Sequence, residues 1–135
     1  MINSYTITSQ AVTTDDTLNF DTTRILTGCT VQHADGTPTF TLTKPGYYFI
    51  TFNGEVTGTT AGVAVVELIN GNLTIPAARA SVAVTADEAA SLSFAAIVRV
   101  LPSCPSIDNT TKLAILNSGV DTTFTNANIN ITKLC

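Results

Sequence analysis

The sequence contains little charge. Of its 135 residues, only 12% are Asp, Glu, Lys or Arg, about half of the roughly 25% that is typical of soluble domains. Its mean hydropathy is positive, at +0.31. A surface with so few charges is either coated by neutral hydroxyl and amide side chains or partly buried between subunits.

Basic residues are few, and they do not cluster along the chain. Nucleic-acid binding needs a concentrated basic surface, and anionic membranes attract polybasic segments. The sequence therefore argues against a nucleic-acid partner and against membrane binding. No apolar run approaches the ~20 residues of a membrane helix. The first ten residues also lack the basic and apolar regions of a secretory signal, which predicts synthesis in a cytoplasm.

Cysteine and histidine are scarce as well. The chain has three cysteines, Cys29, Cys104 and Cys135, and an odd number does not indicate a disulfide framework. A Cys29–Cys104 disulfide is an alternative if the protein enters an oxidising compartment. The only histidine, His33, follows Cys29 at a spacing that can bind zinc, but a zinc site needs three or four ligands. The alternative is a strand histidine beside the turn at Asp35-Gly36.

No catalytic constellation is evident. A Cys–His hydrolase needs an orienting third residue and an oxyanion hole, and no nucleophile signature surrounds Cys29 or Cys104. Carboxylates can bind calcium or act as acids and bases, but those in turns are usually just solvated. Two such groups occur: Asp15, Asp16 and Asp21 lie in the polar N-terminal stretch, and Asp87 and Glu88 form a turn pair. We therefore expect no enzyme activity, no cofactor and no metal.

What the sequence does contain is one β pattern from residue 40 to residue 134. Short runs of Val, Ile, Phe, Tyr and Thr alternate with Gly, Asn-Gly and Pro turns, and no run has a helical period. Eight to ten strands at this spacing predict an all-β, two-sheet antiparallel jelly-roll sandwich. We assign this domain to residues 24–135. The polar residues 1–23 precede it as an arm that reaches a partner or as an edge strand.

The strand predicted for residues 46–56 is apolar on both faces. Tyr48, Ile50 and Phe52 share the face that is assigned to the core, and Tyr47 and Phe49 share the other. Apolar side chains on both faces of an antiparallel strand indicate that both faces are covered. In so small a chain, the second cover is expected to be another subunit. The full set of predicted core residues is Tyr48, Ile50, Phe52, Leu92, Phe94, Val98, Ile129 and Ile131.

These residues carry a family resemblance. Residues 45–52, Pro-Gly-Tyr-Tyr-Phe-Ile-Thr-Phe, resemble a strand of the complement-type globular heads and the tumour necrosis factor (TNF) superfamily. The segments 67–71, 90–101 and 124–134 follow in matching order. Residues 95–105 also resemble small proteins encoded in phages and prophages of gut bacteria. The resemblance implies a compact homotrimer with aromatic residues near its threefold axis, for which Tyr47, Phe49 and Phe124 are the candidates.

The sequence and the resemblance together predict a non-enzymatic structural protein on the surface of a bacteriophage virion. Its partners would be two further copies of itself and other virion or capsid proteins. It would decorate the capsid or form a head fibre or spike, with the N-terminal arm inserted into the particle. The loops at residues 57–62 and 102–110 would face outward. The alternative is an adhesion head of a phage or bacterial surface that binds a host receptor or glycan. An exposed aromatic or acidic loop cluster at the distal end would favour that alternative.

Overall fold

A computed structural model describes residues 1–58, 60–71, 73–101 and 111–134. These residues form twelve β-strands and no helix. The strands are β1 (Ile2–Thr6), β2 (Gln10–Val12), β3 (Asp16–Thr17), β4 (Thr22–Leu26), β5 (Val31–Gln32), β6 (Phe40–Leu42), β7 (Gly46–Gly58), β8 (Gly62–Asn70), β9 (Leu73–Val84), β10 (Ala89–Val100), β11 (Thr111–Asn117) and β12 (Thr122–Lys133). The all-β prediction is confirmed. The strand count exceeds the predicted number because several strands have only two or three residues.

The strands form two antiparallel sheets that face each other across one core. Sheet A has the order β10-β7-β12-β1-β4, with β2 paired to β12. Sheet B has the order β5-β6-β11-β8-β9, with β3 paired to β11. Consecutive strands often lie in different sheets, as β7 and β8 do, so the chain crosses the sandwich repeatedly. This arrangement is the predicted jelly roll.

Strand β7 shows how the sequence orients its side chains. Buried and more exposed residues alternate along most of the strand, because successive side chains of a strand point to opposite faces. Tyr47 and Phe49 point away from the core, and Phe94 is half-buried, with its ring centroid 5.5 Å from that of Phe52. The other predicted core residues are all buried: Tyr48, Ile50, Phe52, Leu92, Val98, Ile129 and Ile131.

Phe124 lies in the core and not at the candidate interface. Its side chain is 1% exposed, so no surface of the ring is available to a neighbouring copy. The reason is a β-bulge in β12, where the register against β7 shifts between Phe124 and Asn126. The extra residue reverses the alternation. Strict alternation from Ile129 would give Phe124 the outer face, but the bulge turns its ring inward, so the interface role that the resemblance implied for Phe124 was wrong.

Residues 1–23 belong to the sandwich, which corrects the predicted arm or edge strand. Strand β1 lies between β12 and β4 and pairs with both. Leu18 and Phe20 are fully buried, and the Phe20 ring meets the Phe40 ring edge-on at 5.4 Å. The segment looked peripheral because several of its buried residues are polar, namely Asn3, Ser4 and Thr6.

The two ends of the sandwich differ in what they carry. One end, which we call the terminal end, contains Met1, Leu134, the end of β10 and the start of β11. Ile2 pairs there with Ile131, and Val100 pairs with Gly46. The connections at residues 58–62, 85–88 and 118–121 lie at the opposite end, the turn end. The predicted outward loop at residues 57–62 is therefore at the turn end. The predicted loop at residues 102–110 lies outside the described residues, between strand ends that are both at the terminal end.

The predicted turns had mixed outcomes. Gly71 has φ +63° directly after β8, as the Asn70-Gly71 signal indicated. Asp-Gly between two strands is a two-residue hairpin signal, but β5 and β6 are joined by the longer segment 33–39, within which Gly36 has φ +84°. Proline within a strand indicates an edge strand or a bulge, and Pro76 lies in β9, an edge strand whose register against β8 shifts.

Candidate subunit interface

The outer face of sheet A, which is turned away from sheet B, has no described strand packed against it. Four exposed apolar residues lie on this face near the terminal end, and we call them the aromatic patch: Tyr47, Phe49, Ile97 and Leu134. Their exposed fractions are 43%, 39%, 61% and 52%. Ile97 lies opposite Phe49 on the neighbouring strand, and the backbone N–H of Leu134 donates to the Tyr47 carbonyl at 2.7 Å. The aromatic patch is therefore continuous across three strands.

An amide cluster of Asn3, Asn128 and Asn130 lies beside the aromatic patch on the same face. The Asn3 Nδ2 donates to Asn128 Oδ1 at 2.7 Å and to Asn130 Oδ1 at 2.5 Å. The Asn130 Nδ2 donates to Thr51 Oγ1 at 3.2 Å. Asn3 is only 6% exposed, and its own Oδ1 is buried with no partner among the described residues. The cluster thus joins β1, β12 and β7 through side chains.

Charged groups lie at the margins of this face. Arg24 and Arg99 belong to the two edge strands, and each guanidinium lies over a tyrosine ring, 4.7 Å from the Tyr5 centroid and 5.7 Å from the Tyr47 centroid. Glu55 lies toward the turn end, where Asn126 reaches it at 3.5 Å. Subunit interfaces have the same distribution, with aromatic residues and Arg enriched and other charges depleted at the centre.

His33 has a structural environment. Its Nδ1 lies 3.0 Å from the Thr39 carbonyl oxygen and its Nε2 lies 3.0 Å from the Phe20 carbonyl oxygen. The imidazole also stacks on the Phe40 ring, with the centroids 4.0 Å apart and the planes within 7°. Both ring nitrogens therefore face backbone atoms, which favours a structural role over a zinc ligand, and His33 directly follows β5 rather than lying within a strand. Cys29 is exposed, whereas Cys104 and Cys135 lie outside the described residues.

The predicted carboxylates do not come together as a catalytic or metal-binding group. Asp21 accepts hydrogen bonds from the Thr6 and Thr22 hydroxyls, and Glu88 accepts one from the Thr85 hydroxyl. Within the part of the chain that the structure describes, no three His, Cys, Asp or Glu side chains are placed to share a metal ion. Nor does this part of the chain contain a helix able to cross a membrane.

The charges are instead separated between the two ends of the sandwich. Five exposed carboxylates lie in connections or at a strand end at the turn end: Asp15, Asp16, Asp87, Glu88 and Asp121. Four basic residues lie at or next to strand ends at the terminal end: Lys44, Arg99, Lys112 and Lys133. Sequence reasoning missed this basic end, because its members are far apart in the chain and only the sheet pairing brings the strand ends together.

No protein-family model matches the sequence, and no curated protein matches it. Solved structures do match the fold over nearly the whole chain. The globular domain of zebrafish complement 1qA aligns with a TM-score of 0.70 at 11% identity, over 99% of this chain and 96% of that one. The Eiger TNF of S. frugiperda aligns with a TM-score of 0.72 at 12% identity, over 99% and 92%.

A phage vertex protein has a related fold as well. Vertex protein P5 of PRD1 aligns with a TM-score of 0.55 at 18% identity, over 99% of this chain and 96% of that one. Identities this low establish a shared fold and nothing about shared chemistry. The predicted fold class is confirmed: the chain is an all-β jelly roll of the kind seen in complement-type and TNF-like heads.

Proposed function

We propose that this chain is a non-enzymatic structural protein of a phage particle. Three copies form a head that decorates the capsid or belongs to a head fibre or spike. The observation that carries the proposal is the outer face of sheet A. It joins an exposed aromatic patch to an amide cluster, has its charges at the margins, and is left uncovered by the described strands.

The size of this face fits a subunit contact. Five neighbouring strands about 4.8 Å apart, with about eight residues each at ~3.3 Å, give a face of roughly 600 Å². Each partner in a standard protein interface contributes about 800 Å². The face is therefore of the right order for most of one contact, and the edges of the sandwich supply the remainder. A trimer is the assembly that the resemblance to complement-type and TNF-like heads implies.

The phage assignment has two supports. One is the likeness of the fold to the PRD1 vertex protein, and the other is the resemblance of residues 95–105 to phage-encoded proteins. The terminal end is the end proposed to contact the particle. It carries the basic residues and most of the large exposed apolar side chains, among them Leu26, Leu73 and Leu101. Apolar and basic groups together suit a protein surface that is acidic and partly apolar.

Electron microscopy of phage particles purified from cultures that produce this chain tests the proposal. Reconstruction should reveal threefold projections of about three copies each, and labelling of an N-terminal tag should place the terminal end next to the capsid. Mass spectrometry of the same particles should detect the chain. Particles that lack the chain, or that carry it with the turn end inward, would contradict the proposal.

A host-binding head is the second candidate, and the acidic turn end favours it. An exposed acidic cluster at the end opposite the particle was the feature expected for that role, and five carboxylates lie there. A glycan array probed with the trimer, alongside an Asp87→Asn/Glu88→Gln variant, tests it. Binding that the variant loses supports adhesion, and no binding to any glycan argues for decoration alone.

A further inference from the structure

We propose that the amide cluster of Asn3, Asn128 and Asn130 determines how many copies associate and in which register. This inference rests on the proposed trimer and goes beyond it. The aromatic patch would supply most of the affinity, and the amide cluster would make one arrangement of the copies better than the others. The occupant of the surface is a second copy of this chain.

Another copy can cover the amide cluster without leaving its central donor, Asn3 Nδ2, unpaired. Both hydrogens of the Asn3 Nδ2 have acceptors inside the chain, on Asn128 and Asn130, and the Asn130 Nδ2 is bonded to Thr51. Burying a polar group costs free energy chiefly when its hydrogen bonds are lost. Donors that are already paired within the chain therefore tolerate an approaching protein surface better than the donors of isolated asparagines do.

The same cluster retains hydrogen-bonding capacity of both kinds. Asn128, which is half-buried, uses its Oδ1 as an acceptor, while its Nδ2 has no partner among the described residues. The Oδ1 atoms of the half-buried Asn128 and Asn130 each accept one hydrogen bond from Asn3, and an amide oxygen can accept a second one. A surface that offers both a donor and an acceptor, with its charges at the margins, is complementary to another copy of itself and does not repel it.

Incorrect arrangements of the copies are less stable, and this difference in free energy selects one register. A flat patch of Tyr, Phe, Ile and Leu can pack in several ways with similar free energy. An arrangement that covers the amides without satisfying their remaining groups is penalised, because buried unpaired polar groups are unfavourable. A single buried asparagine fixes the register and the number of chains in coiled coils by this means. Here the effect would operate on a sheet face.

The test replaces the two β12 amides together, in Asn128→Val/Asn130→Val. Valine suits a strand and removes the hydrogen bonds without adding charge. The matched control is Asn126→Val on the same strand, because Asn126 contacts Glu55 and not the cluster. Sedimentation velocity and native mass spectrometry at 1, 10 and 100 µM (on the order of Kd values for moderate affinity) measure the distribution of assembly sizes.

The wild type and the Asn126→Val control should each give one trimeric species. The double variant should associate at least as tightly but distribute over dimers, trimers and larger assemblies. A double variant that stays uniformly trimeric, with an unchanged dissociation constant, overturns the inference. A wild type that is monomeric at every concentration overturns the proposed trimer instead, so the two failures are distinguishable.

A second variant keeps the inference testable if the double variant does not fold, as judged by circular dichroism. Thr51→Val conserves shape and removes only the acceptor of the Asn130 Nδ2. It should yield a detectable fraction of assemblies other than trimers, smaller than in the double variant. The inference is contradicted if Thr51→Val forms only trimers and the double variant is an unfolded monomer. The amide cluster would then contribute to the folding stability of the single chain and not to the choice of assembly.

Discussion

The outer faces of the two sheets differ, although the same alternation of side chains builds both. Sheet A presents the aromatic patch and the amide cluster, with its charges at the margins. Sheet B presents an ion pair between β8 and the edge strand β9, in which Arg79 Nη1 lies 3.5 Å from Glu67 Oε1, together with the exposed Lys112 and Val63. The described strands of sheet B expose no aromatic side chain on this face.

The comparison shows which outer face of the single chain is expected to be covered by a partner. An ion pair whose arginine is half-exposed is compatible with water and needs no cover. An exposed group of Tyr, Phe, Ile and Leu beside mutually bonded amides gains free energy when it is covered. Two-sided strands alone do not reveal which sheet is covered by a partner. The types of side chain on the outer face of each sheet indicate which one a partner covers, and they favour sheet A.

The largest expected effect comes from the core side of β7. Phe52→Ala should lower the free energy of unfolding by about 3–5 kcal/mol, because a fully buried ring is replaced by a cavity. Phe49→Ala, on the outer face of the same strand, should cost the isolated chain less than about 1 kcal/mol. Urea unfolding at several protein concentrations separates folding from association. A loss below about 1 kcal/mol for Phe52→Ala would mean that the two faces are inverted.

A charge placed in the aromatic patch should disrupt the trimer. Phe49→Arg should weaken association at least ~100-fold, equivalent to about 2.7 kcal/mol, because the guanidinium must be desolvated or the contact abandoned. The matched control is Val63→Arg on the outer face of sheet B, where the side chain is 50% exposed. The control should leave the sedimentation coefficient unchanged. Equal effects of the two substitutions would remove the distinction between the faces.

Two adjacent tyrosines allow a test by pH. Burial raises the pKa of the Tyr48 phenol above its ordinary value of 10.0, because the phenolate is poorly solvated in the core. Since the folded pKa is higher than the unfolded one, this stabilisation is full below about pH 10 and is lost as the pH rises through the folded pKa. Tyr48→Phe should abolish this alkaline loss of stability, and Tyr47→Phe should leave it in place. Thermal melting at a series of alkaline pH values measures both.

The smallest effect is expected for the ion pair on sheet B. Arg79→Ala should cost about 1 kcal/mol, because surface ion pairs contribute little and the Arg79 side chain is 56% exposed, although its partner Glu67 is only 12% exposed. The assembly size should not change. If Arg79→Ala dissociated the trimer, sheet B rather than sheet A would be the contacting face, and light scattering would show this directly.

Period-two patterns predicted the long strands well. The alternation in β7 and β10 was visible in the sequence, so Ile50, Phe52 and Leu92 could be placed before the fold was known. The interface role that the resemblance implied for Phe124 was wrong, because a bulge in β12 adds one residue and turns the ring into the core without any local signal in composition. Periodicity is therefore reliable only between irregularities of the ladder.

The amide cluster and the position of β1 could not be predicted, because both depend on partners far away in the chain. Asn3 and Asn128 are 125 residues apart, and neither has a neighbour in sequence that indicates burial. The four basic residues at the terminal end were hidden for the same reason. The topology of the sheets, rather than a local sequence pattern, brings these groups together. The candidate subunit interface is therefore harder to predict from sequence than the core is.

Sedimentation equilibrium of the wild-type protein at low micromolar concentration tests the central claim most directly. The account predicts one species of three times the chain mass of 14.1 kDa, unchanged by high salt because the contact is largely apolar and amide in character. A stable, folded monomer that persists at 10 µM or above, roughly the range of weak complexes, would contradict it.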